Sequence, residues 1–168
     1  RLFSVGSDRN HSVALYDLYL NASMNEAPSF RLCSSEASDT SPVLFAASNP
    51  YDSEQFVTGG VRHLIFWRVR PQIGLARFPN KATLETYVCA GCIDKEVTVV
   101  GCVSGALKVF RLPASASDTG VKPLCEFDRP KAHRGTINVV HVCNGAGSPL
   151  GADKTETVVV LTGGKDSI

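Results

Sequence analysis

Three side chains near the carboxyl end of the sequence could move a proton between them. His133, Thr162 and Asp166 are the residue types of an acid–base relay, since an imidazole held by a carboxylate accepts a proton from a hydroxyl. A catalytic relay presents its nucleophile on a strained turn such as Gly-x-Ser-x-Gly, and the sequence has no such segment. The sequence therefore favours a structural role for the three residues and predicts no enzyme.

Two other patterns suggest metal or phosphate chemistry. Cys89 and Cys92 form a Cys-x-x-Cys pair, but residues three apart on a strand face opposite sides, and no second pair follows at zinc-site spacing. The Gly-Gly-Lys at 163–165 lacks the upstream glycine and the following Ser or Thr of a phosphate-binding loop. We therefore predict small buried cysteines, no metal site and no cofactor.

A pattern that recurs four times indicates which elements position these side chains. Each copy joins a glycine-containing cluster to a stretch in which apolar residues alternate with others, as they do in a strand; the copies begin at Ser4, Thr58, Val100 and Thr162. Three copies end in an aromatic residue, Tyr16, Trp67 or Phe110. The aromatic residues are about 40 to 50 positions apart, close to the repeat length of WD40-type propeller blades. The sequence therefore predicts an all-β fold of this type.

The expected fold is a partial propeller of about three and a half four-stranded antiparallel blades. The blades are expected at residues 1–33 (partial), 43–78, 86–127 and 137–168 (partial). The chain is thus expected to be a fragment of one WD40 propeller whose remaining blades are its partners. An isolated blade should be unstable, because neighbouring blades bury its apolar faces.

The polar residues at the predicted blade edges suggest a structural network. In WD40 blades, a histidine before the first strand bonds to an aspartate in the turn between the second and third strands. A Ser or Thr of the second strand links that pair to a tryptophan. We expect His133, Thr162 and Asp166 to form this network in the last blade, with Trp67 and Asp8 as the remaining members in earlier blades.

Several segments resemble one family, the echinoderm microtubule-associated protein-like (EMAP-like) proteins. The similar segments are LFSVGSDRNHSVALYDL from Leu2, NPYDSEQFVTGGVRHLIFW from Asn49 to Trp67, VTVVGCVSGALKVF ending at Phe110, and TGGKDSI from Thr162. The resemblance covers nearly the whole chain. It implies divergent WD40 blades, binding to tubulin or microtubules, and a cytoplasmic, cytoskeletal location.

The charge pattern bears on possible partners. The net charge of +1 gives no general attraction to nucleic acid, and the apolar runs are too short to span a membrane. Arg68 and Arg70 share one parity on a predicted strand and, with Arg62, Arg77 and Lys81 nearby in sequence, could form a basic strip that attracts acidic tubulin surfaces. The alternative is that they are ordinary solvated charges, which discourage pairing at a strand edge.

Two functions remain open, and both are non-catalytic protein-interaction scaffolds. One is a microtubule-binding, cytoskeletal module of the EMAP-like kind. The other is a general WD40 adaptor in a signalling, ubiquitin-ligase or ciliary transport complex. An appended coiled coil in the parent chain would favour the first, and a different appended domain would favour the second.

Overall fold

The protein is an all-β structure, as the sequence predicts. The computed structural model describes residues 1–19, 29–70, 74–80, 85–112, 122–144 and 158–166, which form thirteen β-strands and no helix. Accordingly, no described helix is long and apolar enough to cross a membrane.

The strands form four antiparallel sheets in which each strand pairs with its neighbours in the chain. The first sheet contains β1 (Leu2–Val5), β2 (Val13–Tyr19) and β3 (Ser29–Glu36). The second contains β4 (Val43–Ser48), β5 (Gln55–Gly60), β6 (His63–Arg70) and β7 (Gly74–Asn80). The third contains β8 (Tyr87–Cys92), β9 (Val97–Cys102), β10 (Leu107–Arg111) and β11 (Leu124–Arg129), and the fourth contains β12 (Ile137–Asn144) and β13 (Val158–Gly164).

The same irregularity marks the first strand of three sheets. The register of β4, β8 and β12 shifts within the first three residues of each strand, at 43–45, 87–89 and 137–139. A shift of this kind bends a strand and increases its twist. Its recurrence shows that these sheets repeat one local design, in line with the recurring sequence pattern.

Aspartates reverse the chain in three of the turns. The Asp8 carboxylate accepts hydrogen bonds from the backbone N–H groups of Asn10 and Ser12, both at 3.0 Å. Asp52 and Asp94 accept comparable bonds from N–H groups two residues further on. Such side-chain bonds replace the backbone pairing that a turn gives up, which explains why the strands end here.

The core lies between the sheets. Alternate residues of a strand face opposite sides of its sheet, so each inner sheet packs apolar side chains against both neighbours. One cluster joins the first and second sheets around Leu15 and Trp67, and a second joins the second and third around Phe66 and Phe110. A third joins the third and fourth sheets around Val99 and Ile137. The four sheets therefore stack in chain order.

The stacking brings equivalent strands together. The strands β4, β8 and β12 are the first strands of three successive sheets. β8 lies between the other two and contacts both of them. The turns that join the second and third strands lie at one end of the stack, beside the linkers that precede the first strands. Backbone hydrogen bonds tie a turn to the linker of its own sheet, as from Val103 N–H to Thr86 O. Others tie a turn to the linker of the next sheet, namely Arg62 N–H to Glu85 O and His133 N–H to Gly105 O.

Candidate functional site

The structure brings His133, Thr162 and Asp166 together. His133 lies in the linker before β12, Thr162 lies in β13, and Asp166 lies in the turn after β13. The ring Nδ1 is 3.0 Å from Asp166 Oδ1, and Nε2 is 2.8 Å from Thr162 Oγ1. A carboxylate only accepts, so Nδ1 donates to Asp166, and Nε2 of the neutral ring accepts from the Thr162 hydroxyl. This is the order of groups in a proton relay.

The surroundings hold this cluster in place. The hydrogen bond from His133 and a further bond from the Arg134 backbone N–H, at 2.8 Å, keep the pKa of Asp166 below its ordinary value. Its side chain is only 3% exposed. A Cβ on Gly164 would come within 2.6 Å of His133 Nδ1, so this close approach requires glycine. The cluster thereby ties the linker to the sheet, and Thr162 lies within a strand instead of on a strained turn.

In the second sheet, only part of this arrangement is present. Trp67 Nε1 donates to Thr58 Oγ1 at 2.8 Å, and both side chains are fully buried. Trp67 also stacks on Phe56, with ring centroids 5.7 Å apart. Arg62 stands where the turn of the fourth sheet has Asp166, and Asp39 stands four residues before the sheet, as His133 does.

Asp39 is bound by other groups. Its carboxylate accepts from Ser41 N–H at 2.9 Å and lies 3.9 Å from the Arg77 guanidinium. The second sheet therefore keeps the Thr–Trp half of the expected network and replaces the His–Asp half.

The third sheet uses a contact that sequence reasoning missed. Ser104, in the turn after β9, donates through its hydroxyl to the Glu85 carboxylate in the linker before β8, at 2.8 Å. Ser104 aligns with Asp166 in the repeated pattern, and this alignment was the one sequence feature that could have indicated the contact. Asp8 differs again, because its carboxylate bonds within its own turn to Asn10 and Ser12.

The three arginines of the expected basic strip do not lie on one exposed surface. Arg62 is exposed in the turn before β6. Arg68 is only 6% exposed, and its guanidinium lies 5.7 Å from the centre of the Phe78 ring. Arg70 is half-buried at the far end of β6, about 25 Å from Arg62 along a strand of this length. The three arginines therefore do not form the exposed basic strip that we expected, because parity alone did not reveal that Arg68 is buried.

A different group of cations is exposed. Lys131 and Arg134 lie in the linker before β12, and Lys165 lies in the turn after β13. The two segments touch, since Lys165 N–H donates to Thr136 O at 3.0 Å and a Cβ on Gly135 would lie 3.5 Å from the Lys165 Cβ. We call Lys131, Arg134 and Lys165 the basic cluster.

The opposite end of the stack carries mainly acidic turns. The turns at 49–54 and 93–96 contain Asp52, Glu54, Asp94 and Glu96 with a single lysine, Lys95. The Asn49 side chain links these turns by donating to Asp94 O at 3.1 Å. Two of these carboxylates form ion pairs, Glu54 with Arg1 and Glu96 with Arg111.

The thiols are arranged for packing. The Cys89 thiol donates to Ile137 O in the fourth sheet, whereas Cys92 lies beside Thr98 of its own sheet, so the two residues face opposite sides. Burial, reinforced by the nearby Glu85 carboxylate, raises the pKa of Cys102 to about 12. Across the described ranges, no group of His, Cys, Asp and Glu residues is placed to hold a metal ion. Finally, no protein-family model matches this sequence.

Proposed function

We propose that this chain is a segment of a WD40-type β-propeller and serves as a non-catalytic protein-interaction scaffold. The observation that carries the proposal is the stacking of four antiparallel sheets in chain order through three apolar clusters. Contact among the first strands β4, β8 and β12 supports a radial arrangement, because the innermost strands of propeller blades line a common axis.

The cluster around His133 supports a structural role over a catalytic one. Both ring nitrogens are engaged, and the Asp166 carboxylate accepts from the ring and from a backbone N–H. Among the described residues, three clefts lie by the first and second sheets, with Leu15, Phe45 and Phe56 among their lining residues. The relay geometry thus serves to hold a turn.

We further propose tubulin or microtubules as the partner, in the cytoplasm and at the cytoskeleton. The support for this step is the resemblance of the repeats to EMAP-like blades, above all Asn49 to Trp67. A propeller presents its turns at two ends, which suits the binding of a large protein surface. Exposed cations at one end fit the acidic surface of tubulin.

The test is co-sedimentation of the protein with microtubules at low and at moderate salt. We expect pelleting that weakens with salt and with removal of the acidic tubulin tails by limited proteolysis, since screening and charge removal both reduce the attraction. If the protein does not pellet with microtubules at any salt concentration, tubulin is not its partner. The alternative function would then be favoured, a general WD40 adaptor in a signalling, ubiquitin-ligase or ciliary transport complex.

A further inference from the structure

We propose that the basic cluster of Lys131, Arg134 and Lys165 binds an extended acidic peptide segment of a protein partner. This inference rests on the proposed function as an interaction scaffold, and it names the site and the chemistry of what binds there. Sequence parity had pointed instead to the arginines around β6, one of which is buried.

The positive charge of the cluster faces solvent. All three residues are exposed, and none forms an ion pair within the described part of the chain. The Asp166 carboxylate, which accepts from the Arg134 backbone N–H, is turned inwards, with its side chain 3% exposed and bonded to His133. Asp166 is therefore engaged by its own partners, and the three exposed cations are open to an anion from outside the chain.

The backbone places a cation where glycine would be favoured. Lys131 has a φ of 59°, and the exposed Arg62 at the same end of the stack has a φ of 62°. In this left-handed region a side chain is strained, and glycine, asparagine and aspartate are the usual residues. A long basic side chain therefore stands at each of these two positions, although the backbone conformation favours a smaller residue.

The spacing suits carboxylates along an extended chain. Lys131 and Arg134 are three residues apart, which limits their Cα separation to about 10 Å. Side chains on one face of an extended peptide repeat about every 6.8 Å, so alternate acidic residues can approach two or three of these cations at once. Lys165 lies beside Gly135 and extends the same surface.

The observations favour an acidic peptide over a nucleic acid. The net charge of the chain is only +1, which supplies little of the general electrostatic attraction on which nucleic-acid binding relies. Exposed aromatic side chains that could stack on bases, Tyr19, Phe30 and Phe127, lie in strands and not in the turns of this end.

The test measures binding of a fluorescein-labelled peptide of alternating glutamate and glycine by fluorescence anisotropy at low salt. The altered protein carries Lys131→Glu and Arg134→Glu. The control carries Lys95→Glu and Lys122→Glu, which change the net charge equally, and both of its positions are exposed away from the cluster. A neutral variant with Lys131→Gln, Arg134→Gln and Lys165→Gln serves if the charge reversal disturbs folding.

We expect the cluster variants to bind at least about tenfold more weakly than the wild type, with the control within about twofold. Equal losses in cluster and control variants, or no binding of the peptide to the wild type, would overturn the proposal. Tighter binding of a single-stranded oligonucleotide than of the peptide, lost in the same variants, would also overturn it in favour of nucleic acid.

Co-sedimentation of the same proteins separates this inference from the proposed function. If wild type and cluster variant pellet equally with microtubules, the scaffold function stands and the assigned site is wrong. If the peptide is bound through the cluster but no microtubules are, the site stands and tubulin is excluded as its partner.

Discussion

At the residue scale, one task is performed by different chemistry in different sheets. His133 with Asp166 ties the turn to the linker in the fourth sheet, and Ser104 with Glu85 does so in the third. Ser104 is exposed and His133 is partly exposed, whereas the Trp67 to Thr58 bond of the second sheet is fully buried. A buried polar group without its partner is costly, so the buried bond should matter most to stability.

Replacing Trp67 by Phe should lower the free energy of unfolding by about 1–3 kcal/mol, because the Thr58 hydroxyl loses its buried partner and the aromatic contact with Phe56 shrinks. Thr58→Val should cost a similar amount. The double variant should cost less than the sum of the two, as urea unfolding in a double-mutant cycle would show. Strict additivity would mean that the bond contributes nothing.

Stability should also depend on the ionisation of Asp166. Its pKa is lowered in the folded state, so its contribution is present above the ordinary aspartate pKa and is lost as pH falls through the folded value. Between about pH 5 and pH 2, the wild type should therefore lose more stability than Asp166→Asn. Urea midpoints across this range measure the difference, and parallel curves for the two proteins would refute it.

At the element scale, the strands are set by alternating apolar residues, and their ends depend on turns that permit close approach. Gly105 shows this requirement in the turn between β9 and β10. Its φ is +82°, and a Cβ there would lie 2.2 Å from the backbone oxygen of His133. The glycine thus lets the turn of the third sheet touch the linker of the fourth, where the basic cluster begins.

Gly105→Ala should therefore destabilise the protein by about 2 kcal/mol or more, since both the backbone conformation and the contact with His133 O are violated. Gly135→Ala is the matched control in the adjoining linker, where the nearest atom is 3.5 Å away. It should change stability by no more than about 0.5 kcal/mol. Thermal unfolding of the two variants side by side tests this, and equal effects would contradict the assigned role of Gly105.

At the scale of the whole molecule, the stack has two apolar outer faces. The first sheet exposes Leu2, Leu18, Phe30 and Leu32 on the side away from the second sheet. The fourth sheet exposes Val139, Val159 and Leu161 on the side away from the third. Apolar faces of this kind are normally covered by another sheet, as the inner faces of this stack are.

We therefore expect the chain to associate with itself as its concentration rises. A variant with Phe30→Lys and Leu161→Lys should associate less, because each face then carries a charge. Leu124→Lys with Val103→Lys adds the same charges at exposed positions off these faces and should associate like the wild type. Sedimentation velocity over a concentration series measures this. A monodisperse monomer that melts cooperatively at every concentration would contradict the expectation.

What the sequence determined by itself was local. Alternation of apolar residues indicated strands, and the repeat of Thr-Gly-Gly at 58–60 and 162–164 placed Asp166 in a turn, because a recurring pattern implies a recurring local geometry. The pairing of Asp166 with His133 was expected from the polar network of WD40 blades. The same alignment identified Trp67 as the aromatic partner of its sheet.

The tertiary structure alone decided what each face of a strand meets. Parity put Arg68 and Arg70 on one side, but only packing showed that Arg68 is buried. The basic cluster joins Lys131 and Arg134 to Lys165, which is about 30 residues away in sequence, and the Ser104 to Glu85 contact is likewise non-local. The exposure of each side chain depends on which sheets adjoin, and this is a property of the stack and not of any one strand.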